Sequence, residues 1–242
     1  MDDVANLLST RAAILERIAE AAVRAGRDPA SVEIVAVTKT VAADRIRAAI
    51  DAGFSTFAEN RVQERAAKAG DVVGRDAAAG HTARWHLVGP LQSNKARRAV
   101  ELFDVIETVD SLDLAQRLSR IGTEVRPGAP LRVLLQVNVD DDPAKAGFDP
   151  AALEPALPAI LDLDGIAVDG LMTVGRLVAS AEAARPTFVA LRVLSERLRA
   201  GDGRLGPALS MGMSEDFTVA VEEGATLVRI GRAIFGARPG LG

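Results

Sequence analysis

Hydrophobic positions along this chain recur with two alternating periods. Short runs at 33–39, 56–58, 84–88, 105–109, 131–139, 166–173, 208–211 and 226–230 are largely apolar on both faces, the pattern of parallel strands covered by helices. Amphipathic segments lie between them. Leu8, Ala12, Leu15, Ile18 and Ala22 are spaced as one helical stripe over 4–25, which closes on Gly26 as a C-cap. Ile46, Ala49 and Ile50 do the same over 43–52, ahead of Gly53. Ser111 is a natural N-cap for a helix presenting Leu112, Ala115 and Leu118 and stopping at Gly122, and Pro186 opens another with Phe188, Leu191, Leu194 and Leu198.

Eight β-then-α units in 242 residues predict an α/β fold, a single (β/α)8 TIM barrel with an extra N-terminal helix, filling 1–242 as one domain. An open doubly wound sheet is disfavoured because no Gly-x-Gly-x-x-Gly follows the first strand.

Composition narrows the chemistry. With 48% hydrophobic and 26% charged residues the chain is a soluble globular protein with ample core. A net charge of −4 gives no general attraction to nucleic acid or an anionic membrane. The acidic start, Met1-Asp2-Asp3-Val4, is unlike a secretory signal, and no apolar run would span a bilayer, so a cytoplasmic protein is expected. Cysteine is absent, and only His81 and His86 are available as imidazole ligands, so no metal site is expected. Tyrosine is absent too, which excludes a phenol as acid or base.

In such a barrel the chemistry gathers at the C-terminal strand ends, where the sequence offers Lys39, Asn60, His86, Asn138, Met172, Ser210 and Arg229. Lys39 shares strand parity with Val35 and Val37, so its amine projects from an apolar wall. Loss of hydration there favours the neutral amine that attacks an aldehyde or ketone, although a lysine ending a strand also commonly snorkels to solvent. Arg132, Gln136 and Asn138 share one face of the fifth strand and Val133, Leu135 and Val137 the other, so one face is expected to touch something polar.

An anion site is expected where Gly231 follows the last strand and a short helix begins, with hydroxyls from 210–214 and a second helix start near Ser214; ordinary turn chemistry is the plainer reading of Gly231 and Gly236. A phosphate anchor beside an aldehyde-capturing lysine is what pyridoxal 5′-phosphate requires. Arg229, of inward parity, would face the pyridine nitrogen and, staying charged, keep it unprotonated. Two other stretches read as surface: the basic helix start 92–98 as a solvated face, and Asp140-Asp141-Asp142-Pro143 as a solvated turn that lacks the downstream glutamate of a calcium loop. Met211 and Met213 are expected to pack around the cofactor mouth.

The chain resembles the YggS/PROSC family of pyridoxal phosphate homeostasis proteins, whose barrel is that of fold-type III pyridoxal phosphate enzymes and the alanine racemase N-terminal domain. The resemblance is carried by Ala36-Val37-Thr38-Lys39-Thr40, by 57–64 around Asn60, by 85–95 around His86, by Gly170-Leu171-Met172-Thr173, by Leu209-Ser210-Met211-Gly212-Met213-Ser214 and by 228–238. Ala58 and Arg61 depart from the family pattern.

By that resemblance Lys39 forms the Schiff base, Ser210 or Ser214 with the backbone of Gly231 and Arg232 holds the phosphate, and Arg229 faces the ring nitrogen. Asn60, His86 and Met172 sit in motifs around the cofactor. Alanine racemase adds a second domain and a tyrosine; this chain ends at Gly242 and has no tyrosine, so that mechanism is not expected. The resemblance implies a carrier or buffer of pyridoxal phosphate with little or no turnover, a monomer whose partners are the cofactor and apoenzymes that need it. Two rivals stay open, a pyridoxal phosphate-dependent racemase or decarboxylase and a cofactor-free Schiff-base aldolase.

Overall fold

The structure is a computed structural model and describes residues 2–79, 83–176 and 178–236. His81 and the end of the last family motif, Ala237 and Arg238, lie outside the described residues. Eight parallel strands close into a barrel in chain order. They are β1 (Glu33–Val37), β2 (Thr56–Glu59), β3 (Arg84–Leu87), β4 (Val105–Val109), β5 (Leu131–Gln136), β6 (Ile166–Met172), β7 (Ala208–Met213) and β8 (Leu227–Ile230). β8 pairs with β1, Val35 opposite Arg229 and Ala36 opposite Ile230, so the first and last strands are neighbours.

The helices are α1 (Asp2–Arg24), α2 (Ala43–Asp51), α3 (Val62–Ala79), α4 (Ala96–Leu102), α5 (Leu112–Val125), α6 (Pro150–Leu161), α7 (Arg185–Gly201), α8 (Phe217–Glu222) and α9 (Arg232–Phe235). The extra helix α1 packs on α8, α2 and α9, with Arg17 lying 4.4 Å over the Phe217 ring. Gly26 at φ +65° and Gly53 at φ +85° end α1 and α2 as expected. The buried stripe of α1 differs from expectation: Leu7, Ile14, Ile18, Ala21 and Ala22 face inward, whereas Leu8 and Leu15 are 49% and 37% exposed. Apolar residues occur nearly all round this helix, so spacing alone permits two stripes.

Ser111 caps α5 by accepting from Leu114 N, but α5 runs past Gly122 to Val125. Gly122 is a crossing point, since a Cβ there would stand 2.3 Å from Gly165 O. α6 has no apolar stripe that outweighs its prolines, Pro155 and Pro158, and went unread in the sequence; its start is held by Asp149, whose side chain accepts from Ala151 N and Ala152 N.

Each strand has two buried faces, and they differ in kind. The outer face joins the helices in one large apolar core that includes Phe57, Leu118, Val133, Leu135 and Phe188. The inner apolar cluster is small: Val35, Ala58, Leu134, Met172 and Leu227. The remaining interior is polar, with His86, Glu107, Ser210 and Arg229 all buried.

Candidate functional site

β1 ends at Val37, so Lys39 lies beyond the strand in a turn, closed by Val41 N donating to Thr38 O at 2.9 Å. Thr38 is buried and braced. Its hydroxyl donates to Glu59 Oε1 at 2.7 Å, and its carbonyl accepts from Lys68 Nζ at 2.8 Å. Lys68 is also paired with Glu59 at 2.7 Å. Thr38 is thereby tied to Lys68 of α3, leaving the half-buried Lys39 next along the chain. Thr40, β-branched, adopts φ 65°, a left-handed conformation that such residues avoid and that persists only where the surroundings enforce it.

Across the β1–β8 seam, Gly231 follows β8 and opens α9. A Cβ at Gly231 would stand 3.3 Å from Val37 O and 3.4 Å from Val37 Cβ, so the exit of β8 lies directly against the exit of β1, two residues before Lys39. The first N–H groups of a helix have no partner within it. That of Ala233 is taken by Ser214 Oγ at 3.2 Å, which puts a hydroxyl beside the backbone of Gly231 and Arg232. Arg232 itself is exposed and pairs with Glu215 at 3.2 Å.

Ser210 lies elsewhere. β7 continues through the predicted loop to Met213, so Ser210 is a fully buried interior residue. Its hydroxyl donates to Glu107 Oε2 at 2.6 Å and accepts from Arg229 Nη1 at 2.6 Å. Arg229 points inward as its parity requires and also donates to Thr173 O at 2.7 Å. Burial pulls its guanidinium down from the ordinary value, against the opposing charges of Glu107 and Asp216.

His86 is likewise not at a strand end. It is the third of four residues in β3, with Nδ1 2.6 Å from Glu107 Oε1. Burial alone would push the Glu107 carboxyl up, but the hydrogen bond and charge of His86, the charge of Arg229 and the Ser210 hydroxyl hold it below the usual range.

Met172 is buried in the inner cluster. Asn60 directly follows β2 and is half-buried, and its backbone is closely packed, since a Cβ on Gly89 would meet Asn60 O at 2.2 Å. The polar face of β5 serves its own connections: Gln136 donates to Ala146 O at 2.7 Å, Asn138 to Asp142 O at 2.9 Å, and Arg132 pairs with Asp169 at 2.6 Å. Asp140 is more than a solvated turn residue, since it accepts from Thr187 Oγ1 at 2.7 Å and ties this loop to α7. Met211 packs in the outer core, not at the mouth, and Met213 is 38% exposed. Arg97 and Arg98 of the basic helix start are exposed and paired with Glu124 and Glu101.

Among the described residues no group of histidines, cysteines and carboxylates has the makings of a metal site. Two cavities of about 420 Å³ lie away from Lys39. One borders α5, with Asp110, Ser111 and Arg117 in its wall; the other opens at the N-terminal strand ends, lined by Glu33, Arg84, Arg132, Asp169 and the lower edge of His86. The donor set, not cavity size, marks the site at Lys39.

Sequence reasoning missed Glu107. The available sign was a charged residue centred in an apolar run, Val105-Ile106-Glu107-Thr108-Val109, whose parity opposes that of the outward-packing Ile106.

Fold and site together define a (β/α)8-barrel protein with a lysine just past its first strand and an arginine inside its last. The family model "Alanine racemase, N-terminal domain" matches residues 10–239. A Pseudomonas aeruginosa protein named pyridoxal phosphate homeostasis protein is 42% identical over 229 residues, covering 94% of each chain. A solved structure of an unknown protein from Bifidobacterium adolescentis superposes with a TM-score of 0.89 at 39% identity, covering 97% of this chain and 96% of that one. PipY of Synechococcus elongatus, solved with pyridoxal phosphate bound, has a TM-score of 0.78 at 42% identity, covering 92% of this chain and 100% of that one. The chain belongs to the pyridoxal phosphate homeostasis protein family, within the alanine racemase N-terminal domain class.

Proposed function

We propose that this protein binds pyridoxal 5′-phosphate at the C-terminal end of the barrel and serves as a carrier that maintains the vitamin B6 pool. The observation that carries the reading is the seam between β8 and β1, where the Lys39 turn lies beside Gly231 and the start of α9. The donor set fits the group: an amine for its aldehyde, the Ser214 hydroxyl with the Gly231 and Arg232 backbone for its phosphate, and a guanidinium for its ring nitrogen. When bound, pyridoxal phosphate supplies an electrophilic carbon and a conjugated ring that withdraws electrons from it.

The chain's own residues bind and orient. Lys39, next along the chain from the Thr38–Glu59–Lys68 brace, would supply the amine. Ser214 is the phosphate hydroxyl in this reading, because Ser210 is committed inside the barrel to Glu107 and Arg229. Arg229 would face the ring nitrogen and, as a permanent cation with donors alone, would favour that nitrogen unprotonated. Met172 closes the interior beneath, and Asn60 borders the mouth. His86 is a positioning residue in this reading, tied to Glu107.

No helix among the described residues is long and apolar enough to cross a membrane, in keeping with a cytoplasmic carrier. The proposed partners are the cofactor and apoenzymes that need it, and the proposed state is a monomeric single domain over 1–242.

The test is the visible absorption spectrum with added pyridoxal phosphate for the wild type and Lys39→Ala, followed by borohydride reduction and peptide mass spectrometry. A yellow band in the wild type alone, with the cofactor fixed to the Lys39 peptide after reduction, is expected. A band of equal strength in both proteins refutes the assignment to Lys39, and none in either refutes pyridoxal phosphate binding and favours the cofactor-free aldolase.

A further inference from the structure

Four side chains from four strands form one hydrogen-bonded chain through the barrel interior, and its direction is fixed by proton counting. A serine hydroxyl has one proton to give. Ser210 accepts from the Arg229 guanidinium, a group with donors only, at 2.6 Å, so its proton goes to Glu107 Oε2 at 2.6 Å. The other oxygen of the same carboxylate, Oε1, faces His86 Nδ1 at 2.6 Å.

Glu107 is thus held at both oxygens, Oε2 accepting from Ser210 and Oε1 hydrogen-bonded with His86 Nδ1. His86 Nε2 is buried and without a protein partner, so among its ring nitrogens Nδ1 is the one that ties the ring down. Glu107 is 0% exposed and Arg229 5% exposed. Among the groups facing Arg229, Glu107 is the fully buried negative charge; Asp216, the other carboxylate acting on it, is partly solvated and holds Met213 N at 2.6 Å.

We infer that Glu107 is the positioning residue of the cofactor site: through Ser210 it fixes the rotation of the Arg229 guanidinium, and it is the buried counter-charge that holds that group in place where it meets the ring nitrogen. Two independent features support this. Arg229 is held at two nitrogens by acceptors from different strands, Ser210 Oγ and Thr173 O, so its orientation depends on both. Removing a buried charge leaves the opposite charge linked to it uncompensated, and here the one left behind, one hydroxyl away, is the ring-facing arginine. His86 is the outer stop of the chain: it holds Glu107 Oε1 so that Oε2 remains directed at Ser210.

The inference rests on the pyridoxal phosphate reading, and the experiment separates the two. Glu107→Gln keeps size and removes charge; Ser210→Ala keeps both charges and cuts the link between them. In the intact chain, pyridoxal phosphate affinity is measured by titration of the visible band, and the band is followed from pH 5 to 9. Nitrogen NMR of the histidines is recorded in the cofactor-free proteins.

Glu107→Gln is expected to weaken binding about tenfold and to move the pH titration of the band. It also changes the His86 ring-nitrogen signals relative to the wild type. Ser210→Ala weakens binding about threefold and moves the titration in the same direction, with His86 unchanged. A merely structural Glu107 lowers thermal stability without moving the pH titration.

Wild-type affinity and an unmoved titration in Glu107→Gln overturn the inference while the wild-type band upholds the binding reading. An effect in Glu107→Gln with none in Ser210→Ala overturns the route through Ser210. Should Glu107→Gln fail to fold, Ser210→Ala decides alone by the same two readouts. A wild type that forms no band overturns the binding reading and the inference with it.

Discussion

The two faces of the same eight strands are both buried and yet hold together by different physics. On the outer face Ile106, Val133, Leu135 and Leu171 pack with the helices in a continuous apolar core, where stabilisation scales with area and tolerates exchange of one hydrophobe for another of similar volume. On the inner face five apolar residues share the space with His86, Glu107, Ser210 and Arg229, each of which depends on a particular partner. The outer face makes the barrel; the inner face holds a buried arginine between Ser210 and Thr173. Mutational damage should therefore separate cleanly into lost stability and lost cofactor binding.

The strongest attempt to break this separation is Leu118→Ala, fully buried between α5 and the barrel. Deleting it should cost about 2–5 kcal/mol in denaturant unfolding while the pyridoxal phosphate spectrum of the remaining folded protein stays that of the wild type. A shifted band would show that the two faces are coupled.

A smaller effect comes from pH, and it sharpens the contrast because the outer layer has a buried carboxylate of its own. Burial pushes Glu59 up, only partly offset by the hydrogen bond and charge of Lys68 and the Thr38 hydroxyl, with Glu64 adding to the rise. Glu107 is held below the usual range in spite of burial. The signs are opposite. Glu107 contributes stability above the unfolded carboxylate value of about 4.3 that is lost as pH falls through its lower folded value. Glu59 contributes stability below that value that is lost as pH rises through its higher folded one. Denaturant unfolding between pH 3 and 8 should show a flatter acid limb for Glu107→Gln and a flatter rise-side decline for Glu59→Gln. Identical slopes in both variants would refute the opposition.

Least of all should the solvated exterior matter. Arg97→Ala removes an exposed pair with Glu124 and should change unfolding free energy by less than about 1 kcal/mol. A larger loss would mean that the basic stretch 92–98 is more than a solvated face.

All eight strands stood where the alternating periods placed them, because a strand buried on both sides leaves an apolar run that nothing else in a soluble chain imitates. The positions of Lys39, Gly231 and Ser214 at one end of the barrel were legible for a related reason: they follow such runs, and in a closed barrel run ends share one face. Legibility failed where a residue's meaning depends on what lies across the barrel. Ser210 and Ser214 look alike in sequence, yet one hydroxyl is sealed between Glu107 and Arg229 and the other holds the start of α9. Gln136 and Asn138 promised a ligand and instead tie down their own loop. α6 was hidden by two prolines whose cost is carried by its packing and its Asp149 cap.

The sequence by itself determined the barrel, the extra helix, the absence of cysteine and tyrosine chemistry, and the lysine at the first strand's end, since these follow from local periodicity and composition. Only the tertiary structure decided which serine is sealed inside the barrel, which way the strand-five polar residues turn, and that Glu107 is bound to His86 directly and to Arg229 through Ser210. Those facts depend on contacts between residues as far apart as Glu107 and Ser210, and hydrogen bonding across a closed sheet leaves no periodic trace along the chain.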